Sequence, residues 1–157
     1  CIGIAALSHI KNATMDFVDI DPRAITQIQH NIHQNKIDPS RTQVYQSDIF
    51  STIPEGTQYD YIFANPPYIA GKDRDRVDDS VHDFEPHGAL YSQDNGFEHI
   101  VRFLDTVPQF LAPNGVVFLE FDDIQKDRLE QLLQERGISN AVFQKDQFGL
   151  WRWVEWK

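Results

Sequence analysis

Apolar positions along this chain switch repeatedly between short runs or alternation and a repeat near 3.6, which predicts strands and helices in turn. Cys1 through Leu7 opens as a helix already under way, with no cap or entry strand ahead of it. Met15-Asp16-Phe17-Val18-Asp19-Ile20 is a strand, and Asp21-Pro22 then supplies an N-cap and a proline at the first helical position. Ile25, Ile28 and Ile32 fall at helical spacing and predict one buried stripe on a helix that ends near Asn35. Gln43-Val44-Tyr45-Gln46 is a short strand, and Tyr59-Asp60-Tyr61-Ile62-Phe63-Ala64 reads as a buried one. A charged loop over 70–88 precedes a helix from about Gly96 to Leu111, with Ile100, Phe103, Leu104 and Val107 facing the core. Gly115 opens an apolar strand to Phe121. Residues 123–136 form an amphipathic helix with Ile124, Leu129, Leu132 and Leu133 inward, stopped by Gly137. Two late strands follow, around Ala141-Val142-Phe143 and from Leu150 to Trp156. The expected fold is α/β, a mostly parallel sheet with an antiparallel edge strand from the C-terminal hairpin. No internal repeat or linker interrupts it.

Composition narrows the function classes. A chain of 157 residues with 41% hydrophobic residues is one domain by length, with enough apolar side chains for a single core. No apolar run approaches membrane-spanning length. A formal net charge of −10 opposes sequence-independent binding to a phosphate backbone, so a protein or small-molecule substrate fits better than nucleic acid. The one cysteine cannot form an internal disulfide. As an amino-terminal residue, Cys1 raises the possibility of an N-terminal nucleophile, but it opens an apolar helical run with no strand to present it.

Candidate chemistry collects at predicted strand ends. Asn65-Pro66-Pro67-Tyr68 follows the strand that ends at Ala64, the place where open α/β sheets bind ligands. Two prolines fix φ, remove two N–H donors and leave a stiff loop of carbonyl acceptors. Asn65 adds a side-chain carbonyl and Tyr68 a flat face, which together suit a planar amide or amine. The plain alternative is a Pro-Pro turn capped by asparagine. Asp19 closes its strand just before a helix, where a carboxylate accepts from two ribose hydroxyls; the competing role is a second helix cap. Asp48 follows the next strand and suits an adenine amine, with Ile49 and Phe50 as apolar surface for the ring; the competing role is a turn aspartate. His82, Asp83, Glu85 and His87 crowd together like metal ligands, but no partner cluster accompanies them and no metal is expected. His30 and His33 read as a solvated pair on one helix face, residues 73–83 as a solvated loop or a lid, and Trp151, Trp153 and Trp156 as strand packing.

Asn65-Pro66-Pro67-Tyr68 resembles the substrate loop of class I methyltransferases that act on amide or exocyclic amine nitrogen. Phe84-Glu85-Pro86-His87-Gly88-Ala89-Leu90, Asp94-Asn95-Gly96-Phe97, the run from Leu111 to Glu120 and the tail from Lys145-Asp146-Gln147-Phe148-Gly149 to Arg152 narrow the resemblance. Together they are similar to the HemK/PrmC family, N5-glutamine methyltransferases of peptide chain release factors. The resemblance covers nearly the whole chain. It implies a Rossmann-like class I methyltransferase sheet, S-adenosylmethionine as cofactor, and methylation of the glutamine in a release factor's Gly-Gly-Gln motif. It also implies Asp19 on the ribose, Asp48 and Ile49 at the adenine, Asn65 at both cofactor and acceptor, and Pro66, Pro67 and Tyr68 completing the catalytic loop. By the same resemblance, residues 1–157 are expected to be the C-terminal methyltransferase domain of a longer protein. A first strand and glycine-rich turn would lie upstream, and that strand's loss would leave unpaired backbone on both of its neighbours. A cytoplasmic monomer is expected. The other functions in view are an N-methyltransferase acting on adenine or guanine in nucleic acid, and an inactive fragment lacking the glycine turn.

Overall fold

The computed structural model describes residues 2–70 and 91–157. The expectations for Cys1, the charged loop and the stretch from Phe84 to Leu90 lie outside the described residues. Two compact units make up the chain, Cys1–Thr57 and Gln58–Lys157.

In the first unit, helix α1 (Ile2–His9) leads to strand β1 (Met15–Asp19), helix α2 (Pro22–Gln34) and strand β2 (Thr42–Gln46). β1 and β2 pair in parallel, from Met15 opposite Thr42 to Asp19 opposite Gln46. Asp21 caps α2 as its sequence predicts, accepting the Arg23 N–H at 2.8 Å with Pro22 between them. The Arg23 side chain closes back on that carboxylate at 2.6 Å and holds it below the usual carboxylate range. Of the predicted isoleucine stripe, Ile32 is buried and Ile25 and Ile28 are half-buried. Ile32 packs with Leu7 and Ile37 against Ile4, Phe17, Ile28 and Val44. Arg41 ties the loop after α1 in place, donating to the carbonyls of Leu7, Ile10 and Ala13 at 3.2, 2.6 and 2.8 Å. Helix ends leave such carbonyls without intrahelical donors, so a long cation is an effective closure.

The second unit holds β3 (Tyr59–Ala64), the short parallel pair β4 (Ile69–Ala70) and β5 (Tyr91–Ser92), helix α3 (Glu98–Thr106), β6 (Leu111–Glu120), helix α4 (Lys126–Glu135), β7 (Val142–Lys145) and β8 (Trp151–Trp156). Its main sheet has the order β3-β6-β8-β7, with β3 parallel to β6 and β8 antiparallel to both neighbours. The antiparallel β8 therefore lies inside the sheet and β7 forms the edge. Ile100, Phe103, Leu104 and Val107 are buried as predicted, with Val117, Leu119, Phe121, Leu129, Leu133 and Val154. Gly115 lets β6 run close to its neighbour, since a Cβ there would lie 2.8 Å from the Tyr59 carbonyl oxygen.

Three local expectations are corrected. β3 is not buried on both faces: Ile62 is 8% exposed, but Tyr61 and Phe63 are 62% and 44% exposed. Successive side chains alternate across a strand, and Phe63 on the open face finds cover by stacking on Phe118 at 5.1 Å. The helix predicted from Gly96 begins later, because Asp94, Asn95 and Gly96 all have left-handed φ, at 48°, 54° and 87°. Ile124 is 59% exposed, whereas Gln125 is only 3% exposed. Asp123–Gln125 is a 3-10 turn ahead of α4, and Ile124 stands five and nine residues from Leu129 and Leu133, on the opposite side of a helix of 3.6 residues per turn, whereas Gln125 stands four from Leu129 on the same side. Trp156 is buried on the face opposite Trp151 and Trp153, an odd spacing within one strand.

Candidate functional site

Parallel pairing sets the carboxyl ends of β1 and β2 side by side, and the Ser47 N–H donates to the Asp19 carbonyl at 2.9 Å across that end. Asp19 is half-buried there. Its Oδ1 accepts the Asp21 N–H at 2.9 Å, so one carboxylate oxygen serves the turn into α2. A carboxylate has further acceptor capacity beyond that one bond. Asp48 and Ile49 follow β2, both half-buried. Ile49 has φ +53°, a left-handed conformation that costs a β-branched residue about 1–2 kcal/mol. The loop holds it there by winding around buried Ser47, whose Oγ accepts the Thr52 N–H at 3.0 Å and faces Ser51 Oγ at 3.3 Å. Stored strain of this kind gathers at ligand sites. Two carboxylates at adjacent strand ends, with Ile49 and Phe50 beside them, fit a nucleoside: hydroxyls and an amine as donors, and a flat ring needing apolar cover.

The second unit carries Asn65, Pro66, Pro67 and Tyr68 directly after β3. Asn65 is exposed and the other three are half-buried. No peptide bond among the described residues is cis, and each proline ring fixes its own φ, which stiffens the connection. Tyr68 does more than present a ring face. Its hydroxyl donates to Oε1 of Glu120, the last residue of β6, at 3.0 Å. Burial, followed by the charge and hydrogen bond of Glu120, pushes the Tyr68 hydroxyl up to about 12. Arg152, paired with Asp146 at 3.4 Å, acts on Tyr68 in the opposite sense and is outweighed. Tyr68 is thus a fixed, protonated donor at neutral pH. Its carbonyl is also held, accepting from Gln125 Nε2 at 3.0 Å.

Asp19, Asp48 and Ile49 therefore share one sheet end, and the four residues of the proline loop share another strand end. Reasoning from sequence did not name Glu120 or Gln125 as partners of that loop. Gln125 had a readable signal: Asp122 and Gln125 have the spacing of a capping box, and the structure contains that box.

Residues 1–96, more than half of the chain, match the methyltransferase small domain family. A ribosomal protein uL3 glutamine methyltransferase of Francisella tularensis is 31% identical over 83% of this chain and 40% of its own length. A release factor glutamine methyltransferase of Flavobacterium psychrophilum is 25% identical over 95% of this chain and 52% of its own. The chain spans between 26% and 53% of the length of the curated relatives it matches. Among solved structures, a Pyrococcus furiosus methyltransferase superposes with a TM-score of 0.69 at 21% identity, covering 98% of this chain and 66% of its own. A T. thermophilus 16S rRNA N2 G1207 methyltransferase, solved with AdoMet and guanosine, gives 0.62 at 21% identity over 92% of this chain and 31% of its own. These likenesses establish the Rossmann-like methyltransferase fold. The chain belongs to the methyltransferase small domain family.

Proposed function

We propose that this protein methylates the side-chain amide nitrogen of a glutamine, the one in the Gly-Gly-Gln motif of peptide chain release factors. The observation that carries the reading is the proline loop, a stiff, donor-poor segment placed at the end of β3 and anchored at Tyr68. Support for the acceptor comes from relatives named as release factor glutamine methyltransferases. The uL3 glutamine methyltransferase relative favours a second reading, with the same amide on a ribosomal protein.

S-adenosylmethionine supplies a methyl group activated by its sulfonium, so the residues of this chain need mainly to bind and orient. Asp19 accepts from ribose hydroxyls, and Asp48 from the adenine amine with Ile49 against the ring. Amide nitrogen is a poor nucleophile because its lone pair is delocalised into the carbonyl. Asn65 Oδ1 and the Pro66 carbonyl accept the two N–H groups of the substrate amide and stabilise positive charge as it develops on nitrogen. Pro67 keeps the loop stiff and Tyr68 packs beside the amide plane. No group is required to act as a base before the methyl arrives: the sulfonium would leave as the neutral thioether, and the methylated nitrogen would give its extra proton to solvent. The protein acts as a cytoplasmic monomer on a protein substrate.

The test is direct. The whole gene product is incubated with S-adenosylmethionine and either a release factor or uL3, and the modified residue is located by peptide mass spectrometry. Methyl on the Gly-Gly-Gln glutamine, absent with Asn65→Ala, is the expected result. Methyl on uL3 alone would replace the substrate, and methyl on neither, from protein that binds the cofactor, would overturn the reading.

A further inference from the structure

Gln125 is buried at 3% exposure with every arm of its side chain occupied. Its Nε2 donates to the Tyr68 carbonyl at 3.0 Å and the Asn95 carbonyl at 3.4 Å, and its Oε1 accepts the Asp122 N–H at 3.1 Å. A buried amide so fully engaged holds its partners in one geometry, since breaking any contact leaves a polar group unsatisfied. Gly96 closes the same point from the other side. Its φ is +87°, and a Cβ there would overlap the Tyr68 carbonyl oxygen and come within 2.5 Å of Gln125 Nε2. The turn that delivers Gly96 contains two left-handed non-glycine residues, Asp94 and Asn95. Arg128 pairs with Asp94 at 3.1 Å and lies over the Phe97 ring at 4.7 Å, which secures that turn to α4.

This clamp has leverage over the acceptor loop. Between the Tyr68 carbonyl and the Pro66 carbonyl, the peptide bonds are planar and the Pro67 ring fixes its own φ. Only ψ of Pro67 and φ and ψ of Tyr68 remain soft. The Tyr68 hydroxyl on Glu120 removes further freedom from that residue. Holding the Tyr68 carbonyl and hydroxyl together therefore narrows the directions open to the Pro66 carbonyl, which follows Asn65 at the end of β3.

We propose that Gln125 is a positioning residue for methyl transfer: by clamping the Tyr68 carbonyl against Gly96, it aims the Pro66 carbonyl at the acceptor amide. The inference rests on the acceptor-loop reading given above. It assigns a catalytic contribution to a residue of the α4 cap that need touch neither substrate nor cofactor.

The experiment uses the whole gene product with Gln125→Met, which keeps the volume and removes both donors, and Gln125→Asn, which keeps an amide on a shorter stem. Small misplacements of reacting groups cost rate steeply, so kcat is expected to fall about 10- to 100-fold in Gln125→Met. KM for the protein substrate and calorimetric affinity for S-adenosylmethionine should stay within about twofold, and Gln125→Asn should regain part of the rate. A kcat within about twofold of wild type in Gln125→Met, or a parallel loss of cofactor affinity, overturns the proposal. Where Gln125→Met does not fold, the same split read on Gln125→Asn decides. Asn65→Ala runs alongside: an active wild type, a dead Asn65→Ala and a fully active Gln125→Met remove this inference alone. A wild type inactive on glutamine removes the function reading and this inference with it.

Discussion

The end of β1 and β2 and the end of β3 both present polar side chains after short strands, yet they are held in different ways. Asp19 and Asp48 sit in structure built from their own neighbours. Asp19 serves a turn two residues on, and the Asp48–Ile49 loop is wound around Ser47 and Thr52. The proline loop is held from far along the chain, by Glu120 on β6 and by Gln125 ahead of α4. Locally built sites suit a ligand whose groups need only to be met. A reaction that depends on the placement of two acceptors requires a loop braced by the core. Under the proposed function, binding falls to the first region and rate to the second.

The largest effect is expected at Asn65. Removing an acceptor that acts on developing charge should lower the single-turnover methylation rate by about 10²–10³-fold. Cofactor affinity by calorimetry should change less than about threefold, and equal losses in both would collapse the division between regions. Asp19→Ala is the reciprocal test. Hydrogen bonds to a charged group contribute about 1.5–3 kcal/mol, so cofactor binding should weaken roughly 10- to 150-fold. Turnover at saturating cofactor should be kept. Loss of turnover with intact binding would place Asp19 in the wrong class.

Tyr68 sharpens the comparison through pH. Its folded value of about 12 lies above the ordinary 10.0, so folding favours the protonated hydroxyl. That stabilising contribution is complete below about pH 10 and is lost as pH rises toward 12. Absorbance near 295 nm should therefore show one of the five tyrosines titrating late, a phase that disappears in Tyr68→Phe. The variant should lose about 1–3 kcal/mol of stability by leaving Glu120 without its donor. A late phase that survives in Tyr68→Phe would break the assignment of that tether.

How much was legible follows from the same contrast. The β1 strand, the Asp21-Pro22 helix start, the core face of α3 and the Gly137 stop, at φ +76°, are local in origin, and the structure contains each of them. Asp19 and Asp48 could be placed at strand ends because strand periodicity alone sets where a strand stops. Glu120 and Gln125 stand 52 and 57 positions from Tyr68, and no local pattern joins residues so far apart. Tyr61 and Phe63 misled because an apolar run does not state how many of its faces are covered.

Ile124 carries the smallest expected effect and the clearest lesson about phase. Grouping Ile124 with Leu129 and Leu133 on the buried face would make its truncation cost about 2–5 kcal/mol, but at roughly 100° per residue it stands about 140° and 180° from them. Gln125, four residues before buried Leu129, shares its face and is 3% exposed, while Ile124, one residue earlier, is left 59% exposed. Ile124→Ala should therefore change stability by less than about 0.5 kcal/mol, measured by urea unfolding. Leu129→Ala in the same experiment should lose about 2–5 kcal/mol, since Leu129 is fully buried. Were Ile124→Ala to cost as much as Leu129→Ala, the entry to α4 would be rotated so that residue 124 faces the core. Gln125 would then face away from Tyr68, and the clamp on the acceptor loop would have no residue to close it.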